Sequence, residues 1–280
     1  GTFADDEELF AFADVLGRHG KGVFESAPRF EKAGADWSGL KHEIKTLGEV
    51  TRRSGRPSTF GLVYNAVRPD MSDVALAEVA AENRKGAELR PQTTCRPIGV
   101  VLGIQHRTPW ARAGETWKSM QDMNLGERLA LIRDSNTRRM LIEEAKNPEK
   151  IHGGGSAMVD LSRLYLLDAE HPDYRVGPAG TLEAKAAQAG VTPVEYFLAE
   201  TDRSDGSVML SLPILNQDYE AIETMMADEA IVMGLADAGA HVGQIMDSSQ
   251  PTYFLSHWVR DTGFFTLEEG VRRITSDTAD

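Results

Sequence analysis

Apolar positions along the first third of the chain follow two alternating periods. Leu9, Phe12, Ala13 and Leu16 fall near a 3.6-residue repeat, so Asp5–His19 predicts a helix that Gly20 stops. Gly22-Val23-Phe24 is a short apolar run of strand type. Leu40–Ser54 predicts a second helix, ended by Gly55 and Pro57, and Thr59–Tyr64 a buried strand. Ser72–Lys85 predicts a third helix, stopped at Gly86, and residues 87–92 lead into a third strand. Helix and strand in alternation, joined by short turns, is the pattern of parallel β/α units.

From about residue 97 to 230 the rhythm changes. Leu125–Ala145 predicts one long helix, Thr181–Ala189 and Pro193–Glu200 two more, and strand signals are few. His152-Gly153-Gly154-Gly155-Ser156 reads as a flexible connector. After the helix Asp218–Met226, Ile231–Ala236 is an apolar run suited to a doubly buried parallel strand. Leu255–Arg260 and Leu267–Thr275 predict closing helices. The expected organisation is α/β: barrel-type β/α units over 1–96, a mainly helical insertion over 97–230, and a last strand with its helices over 231–280.

Composition narrows the partners. The net charge of −13 argues against nucleic acid or an anionic membrane surface. No apolar run approaches the roughly 18 residues of a spanning helix. One cysteine, Cys95, leaves no intrachain disulfide and favours a reducing compartment, hence the cytoplasm. The start, Gly1-Thr2-Phe3, lacks an initiator Met, so the natural protein is expected to begin earlier.

Polar residues directly after buried strands are the candidates for chemistry, because active sites of β/α barrels lie at the C-terminal strand ends. Asp237 holds that position after Ile231–Ala236, with Gly239 and His241 behind it. A carboxylate there can ligate a metal or take a proton from metal-bound water; it can equally cap a turn. Arg90, Gln92 and Arg96 stand near the exit of the third strand, where Arg suits a carboxylate by its bidentate fork. Glu25 and Tyr64 follow the first and second strands and could also be rim residues. The seven histidines form neither His-x-His nor His-Glu-x-x-His, so no zinc motif is complete in this chain. Cys95 and His257 read as packing residues.

Several stretches resemble the D-aminoacylase-like branch of the amidohydrolase superfamily, the N-acyl-D-amino-acid deacylases. Val232-Met233-Gly234-Leu235-Ala236-Asp237-Ala238-Gly239-Ala240-His241-Val242-Gly243 is similar to that branch's final barrel strand and its acidic residue. Residues 247–261, from Asp247-Ser248-Ser249-Gln250 to Trp258-Val259-Arg260-Asp261, resemble the stretch that follows, and residues 267–276 the next helix. Upstream, residues 1–9, Arg90-Pro91-Gln92 and Arg96-Pro97-Ile98-Gly99 are also similar.

The resemblance implies the C-terminal half of a TIM-like (β/α) barrel and a metal-dependent hydrolase of amide bonds, acting on a small N-acyl amino acid. It implies a divalent metal, zinc by preference, that polarises the carbonyl and activates water while Asp237 binds it and shuttles the proton. Arg96, Gln92, His241, Tyr64 and Glu25 are then expected around the substrate. The family's early His-x-His strand is absent here, and residues 24–29 and 60–65 hold no histidine. Further metal ligands are therefore expected from outside this chain, either the rest of the barrel or a second chain, and a homo-oligomer would fit. The alternative is a subunit of the same fold that has lost metal chemistry and serves binding or assembly. A third reading is an unrelated barrel enzyme using Glu25 and Asp237 without metal.

Overall fold

The computed structural model describes residues 4–30, 34–146, 152–154, 157–158, 160–167, 173–175, 177–234 and 247–279. In chain order the elements are α1 (Asp6–His19), β1 (Phe24–Ser26), α2 (Ser38–Ser54), β2 (Ser58–Phe60), α3 (Met71–Asn83), β3 (Gln92–Thr93), β4 (Ile98–Gly103), α4 (Glu115–Ser119), α5 (Leu125–Arg133), α6 (Ser135–Glu144), β5 (His152–Gly154), β6 (Ala157–Met158) and β7 (Tyr165–Leu167). There follow α7 (Leu182–Ala189), α8 (Pro193–Arg203), β8 (Met209–Leu215), α9 (Tyr219–Ala227), β9 (Val232–Met233), α10 (Gln250–Tyr253), a π-helix (Phe254–Asp261), α11 (Leu267–Arg273) and α12 (Ser276–Ala279).

The chain divides into two compact units. One holds the described residues of Gly1–Arg96, Leu215–Ala236 and Ser249–Asp280; the other, those of Pro97–Ile214 and Asp237–Ser248.

In the first unit the strands run parallel in the order β1, β2, β3, β9. Glu25 pairs with Thr59, Gly61 bridges to Gln92, and Gln92 pairs with Val232. The alternation expected of the first and last thirds of the sequence is thus present as parallel neighbours. One face of this sheet is apolar and covered: Phe60, Leu62, Leu89 and Ile231 pack on Leu40, Ile44 and Leu47 of α2, Ala75 and Val79 of α3, and Met225 of α9. Because strand side chains alternate, Glu25, Thr59, Gln92 and Val232 face the other way. Caps set the helix ends. Asp5 accepts from Glu8 N–H at the start of α1, and Gly20 and Gly55 close α1 and α2 in the left-handed region, at φ 62° and 59°.

The second unit has its own core, where Trp110 packs on Trp117 and Phe197 among Leu102, Ile132, Leu198 and Leu210. Three departures from the sequence reading lie here. The helix expected over Leu125–Ala145 breaks into α5 and α6. Asp134 leaves the helical region at ψ 123° and its carboxylate accepts from Thr137 N–H at 2.8 Å, so a local cap outcompetes the continuous apolar stripe. Next, β4, β8 and β7 form a three-stranded sheet within the stretch read as mainly helical. Gly99 lies beside Leu212 and Gly103 beside Val208, so β4 and β8 run antiparallel, as β8 and β7 do. Finally, His152–Gly154, expected as part of a flexible connector, is β5 and pairs antiparallel with β6.

Candidate functional site

The parallel strands bring together residues far apart in the chain. Glu25 stands on β1, exposed, and Gln92 opens β3 two strands away. The Gln92 carboxamide nitrogen donates to a Glu25 carboxylate oxygen at 3.3 Å. Its oxygen lies over β9, where a Cβ on Gly234 would approach it to 2.6 Å. Gly61, half-buried and without a side chain, occupies the sheet position paired with Gln92. This face therefore offers a carboxylate and a carboxamide, and the glycine at 234 is what lets the Gln92 carboxamide lie against the backbone.

Past the strands, Asn216 ties two strand exits together. Its side-chain oxygen accepts from Tyr64 N–H at 2.7 Å, and its own N–H donates to Tyr64 O at 2.9 Å. Its amide nitrogen donates to Thr94 Oγ1 at 2.9 Å and Thr94 O at 3.3 Å, and the Thr94 hydroxyl donates to Arg96 O at 2.5 Å. Asn216 is fully buried and sits at φ 52°, a conformation Asn tolerates better than most residues. Tyr64 is thus held by its backbone, its side chain half-buried.

Arg96 is buried, and its guanidinium donates to Ser249 Oγ at 3.2 Å. Around it the chain end forms an aromatic cluster. Trp258 Nε1 donates to Cys95 O at 2.6 Å, and Cys95 Sγ lies 3.4 Å from Gln250 O. The Tyr219 and Tyr253 hydroxyls share a hydrogen bond of 2.8 Å, while His257 stacks on Tyr253 and meets Tyr219 edge-on. Burial pushes the Tyr219 phenol far above its ordinary range, with Tyr253 beside it adding to the shift, so Tyr219 stays protonated. Cys95 and His257 are buried packing residues, as expected from sequence.

Asp237 and His241 lie outside the described residues. Among the expected site residues, Glu25 and Gln92 are in contact, and Tyr64 and Arg96 are linked through Asn216 and Thr94. Asn216, Tyr219 and Tyr253 were not legible as site neighbours. For Asn216 the available signal is its place as the first polar residue after the apolar run Met209–Leu215, the same position that singled out Asp237. Among the described residues, no three His, Cys, Asp or Glu side chains come together as a metal-binding group. No helix among them is long and apolar enough to cross a membrane.

Taken together, parallel strands covered by helices on one face define an α/β fold. No family model matches the chain, and no curated protein matches it. Solved structures of D-aminoacylase do. One, described by the functional role of its binuclear metal center, is 17% identical with a TM-score of 0.50. A second, a D-aminoacylase mutant in complex with CuCl2, is 15% identical at 0.51. A third, described as defining a novel subset of amidohydrolases, is 16% identical at 0.50. Each likeness covers 99% of this chain and 45% of the other. At these identities what is shared is the fold, and the chain spans under half the length of the enzymes it resembles.

Proposed function

We propose that this chain is the C-terminal half of a TIM-like (β/α) barrel in a metal-dependent amidohydrolase that deacylates N-acyl amino acids. What carries the reading is the run of parallel strands with Glu25 and Gln92 joined on the face opposite the helices, in a fold shared along 99% of the chain with D-aminoacylases. Residues 97–230 are then the insertion before the last strand, and Asp237 the base that takes the proton from the attacking water. Glu25, Gln92, Tyr64, Arg96 and His241 surround the substrate, with Arg96 suited to an anionic group.

The metal does not fit the described residues alone, since they hold no three-ligand group. In this reading a divalent cation, zinc as the finer choice, draws on Asp237 and on polypeptide outside this chain. The sheet supports such a partner: β1 and β9 are its edges among the described residues, and Val23 beside β1 is 55% exposed. The completing polypeptide is the rest of the barrel or a second chain, homo-oligomers included, and the compartment is the cytoplasm.

The test is hydrolysis of N-acyl amino acids by the whole protein that carries this chain, with and without chelator, beside the Asp237→Asn variant. Turnover should need the divalent metal and fall about 10²–10⁴-fold in the variant, with the melting temperature unchanged. Chelator-insensitive turnover, or full activity in the variant, would overturn the reading. The absence of a three-ligand group among the described residues also favours a second one, a subunit of this fold without metal chemistry that serves binding or assembly. Metal content below one ion per chain, together with no turnover, would decide for it.

A further inference from the structure

We infer that the end of the first unit at which its strands begin is a docking surface for an acidic peptide segment of a partner protein. α1, α2 and α3 finish there side by side, because each runs back along a sheet whose strands are parallel. Gly17 of α1 lies against Ser54 at the end of α2, and Thr51 Oγ1 of α2 accepts from Glu88 N–H just before β3. The sequence places Arg18 and Lys21, Arg53 and Arg56, and Arg84 and Lys85 at this end. All are exposed except Arg56, which is half-buried and donates to Gly22 O at 3.0 Å. Arg53 lies over the Phe10 ring at 4.2 Å, which holds its guanidinium in place.

Carboxylates do not balance these charges. Glu49 is shared by Arg52 and Arg53, at 3.2 and 3.0 Å, and Glu82 by Arg52 and Lys85, at 2.8 and 2.7 Å. Three cations thus meet two carboxylates, and Glu88 is the next acid at this end. Among the described residues Arg18, Lys21, Arg56 and Arg84 join no ion pair. Helix ends account for only part of the pattern, since Lys21 and Arg56 lie outside the helices and Gly20 and Gly55 already close α1 and α2. α9 covers the same sheet without a basic residue in its last turn, and Asp228 and Glu229 follow it. The positive surface therefore spans the starts of β1, β2 and β3 and stops at β9, a local reversal of sign in a chain of net charge −13. Packed helices lie about 8–10 Å apart, so three ends span about 20 Å, the reach of about six extended residues. A short acidic segment matches that span and charge, whereas a long polyanion such as nucleic acid would also meet the acidic remainder. Tyr64 and Arg96 follow the opposite ends of β2 and β3, so an occupant here leaves those strand exits open.

The test is fluorescence anisotropy of the whole protein with a fluorescein-labelled peptide of alternating Glu and Ser, beside its Gln-Ser counterpart. The acidic peptide should bind, about tenfold more weakly at ~0.2 M than at ~0.02 M NaCl, and the neutral one should not. Arg18→Gln, Lys21→Gln and Arg84→Gln made together should weaken binding about tenfold. Lys118→Gln, Lys146→Gln and Arg203→Gln, made together on the second unit, should leave it unchanged. Both triple variants should melt with the wild type, because exposed charges contribute little to stability. Single-stranded DNA of equal charge should bind more weakly than the acidic peptide. No binding at low salt, equal loss in both triple variants, or tighter binding of the DNA would overturn the proposal. So would self-association in sedimentation that the first triple variant abolishes, since the occupant would then be a second copy of this chain.

Discussion

Asn216 and Tyr64 exchange two hydrogen bonds, one from each backbone N–H, although 151 residues of chain lie between them. The Asn216 side chain imitates a strand residue on one side and holds Thr94 on the other. Replacement by Ala leaves Tyr64 N–H and both Thr94 oxygens without this partner in a fully buried place. Each lost hydrogen bond of this kind costs about 1 kcal/mol, more where a donor is stranded, so Asn216→Ala should lose about 2–4 kcal/mol by urea denaturation. Asn216→Asp keeps the acceptor for Tyr64 but turns a carboxylate oxygen on Thr94 O, and should be no better.

Glu82 is 2% exposed, and its carboxylate accepts from Lys85 at 2.7 Å and Arg52 at 2.8 Å. Burial pushes its pKa up, but the hydrogen bonds and charges of Lys85 and Arg52 outweigh this and leave it below the ordinary 4.5. A group lowered on folding stabilises the fold above its ordinary value, and that stability is lost as pH falls through the folded value. Glu82→Gln should therefore cost about 1–2 kcal/mol at pH 7, modest because both cations reach solvent. The gap in urea midpoint between wild type and variant should close as pH falls below the ordinary Glu value; a gap constant from pH 7 to 3 would count against the assignment.

Gly99 marks a close backbone approach between β4 and β8. A Cβ there would lie 2.5 Å from Leu212 O and 3.1 Å from Pro213 Cα, and neither atom can swing aside. Gly99→Ala should cost about 1–3 kcal/mol through strain in the three-stranded sheet, read as a lowered melting temperature.

Gly234 does for Gln92 what Gly99 does for Leu212, with a different outcome. The atom a Cβ would meet, Gln92 Oε1 at 2.6 Å, belongs to a flexible side chain. Gly234→Ala should leave stability within about 1 kcal/mol and displace Gln92 from Glu25. If these two residues line the substrate site, KM for an N-acyl amino acid should rise several-fold with the melting curve little moved. An unchanged KM would remove Gln92 from the site.

Much of the first unit was legible because its elements carry local signals. The helix periods of α1, α2 and α3, the glycine stops at Gly20 and Gly55, and the capping box of Thr266 with Glu269 act within a few residues. The sheet of the second unit was hidden for the opposite reason. In β4, Ile98-Gly99-Val100-Val101-Leu102-Gly103 joins β8, a strand over a hundred residues later, so its pairing leaves no local signal. The break at Asp134 was readable in principle, since Asp-Ser-Asn-Thr is a strong cap, but the apolar stripe on both sides obscured it.

The sequence by itself determined where most helices begin and end, that the strands of the first unit run parallel, and which polar residues follow them. Those properties rest on period, capping and turn chemistry, which act over one or two turns of chain. Tertiary structure alone decided that Gln92 reaches Glu25, that Asn216 closes on Tyr64 and Thr94, and that the buried Arg128 guanidinium donates to four carbonyls. Each of these depends on side chains meeting across strands or loops. No local pattern encodes such a meeting, because its energy is realised only when distant segments pack.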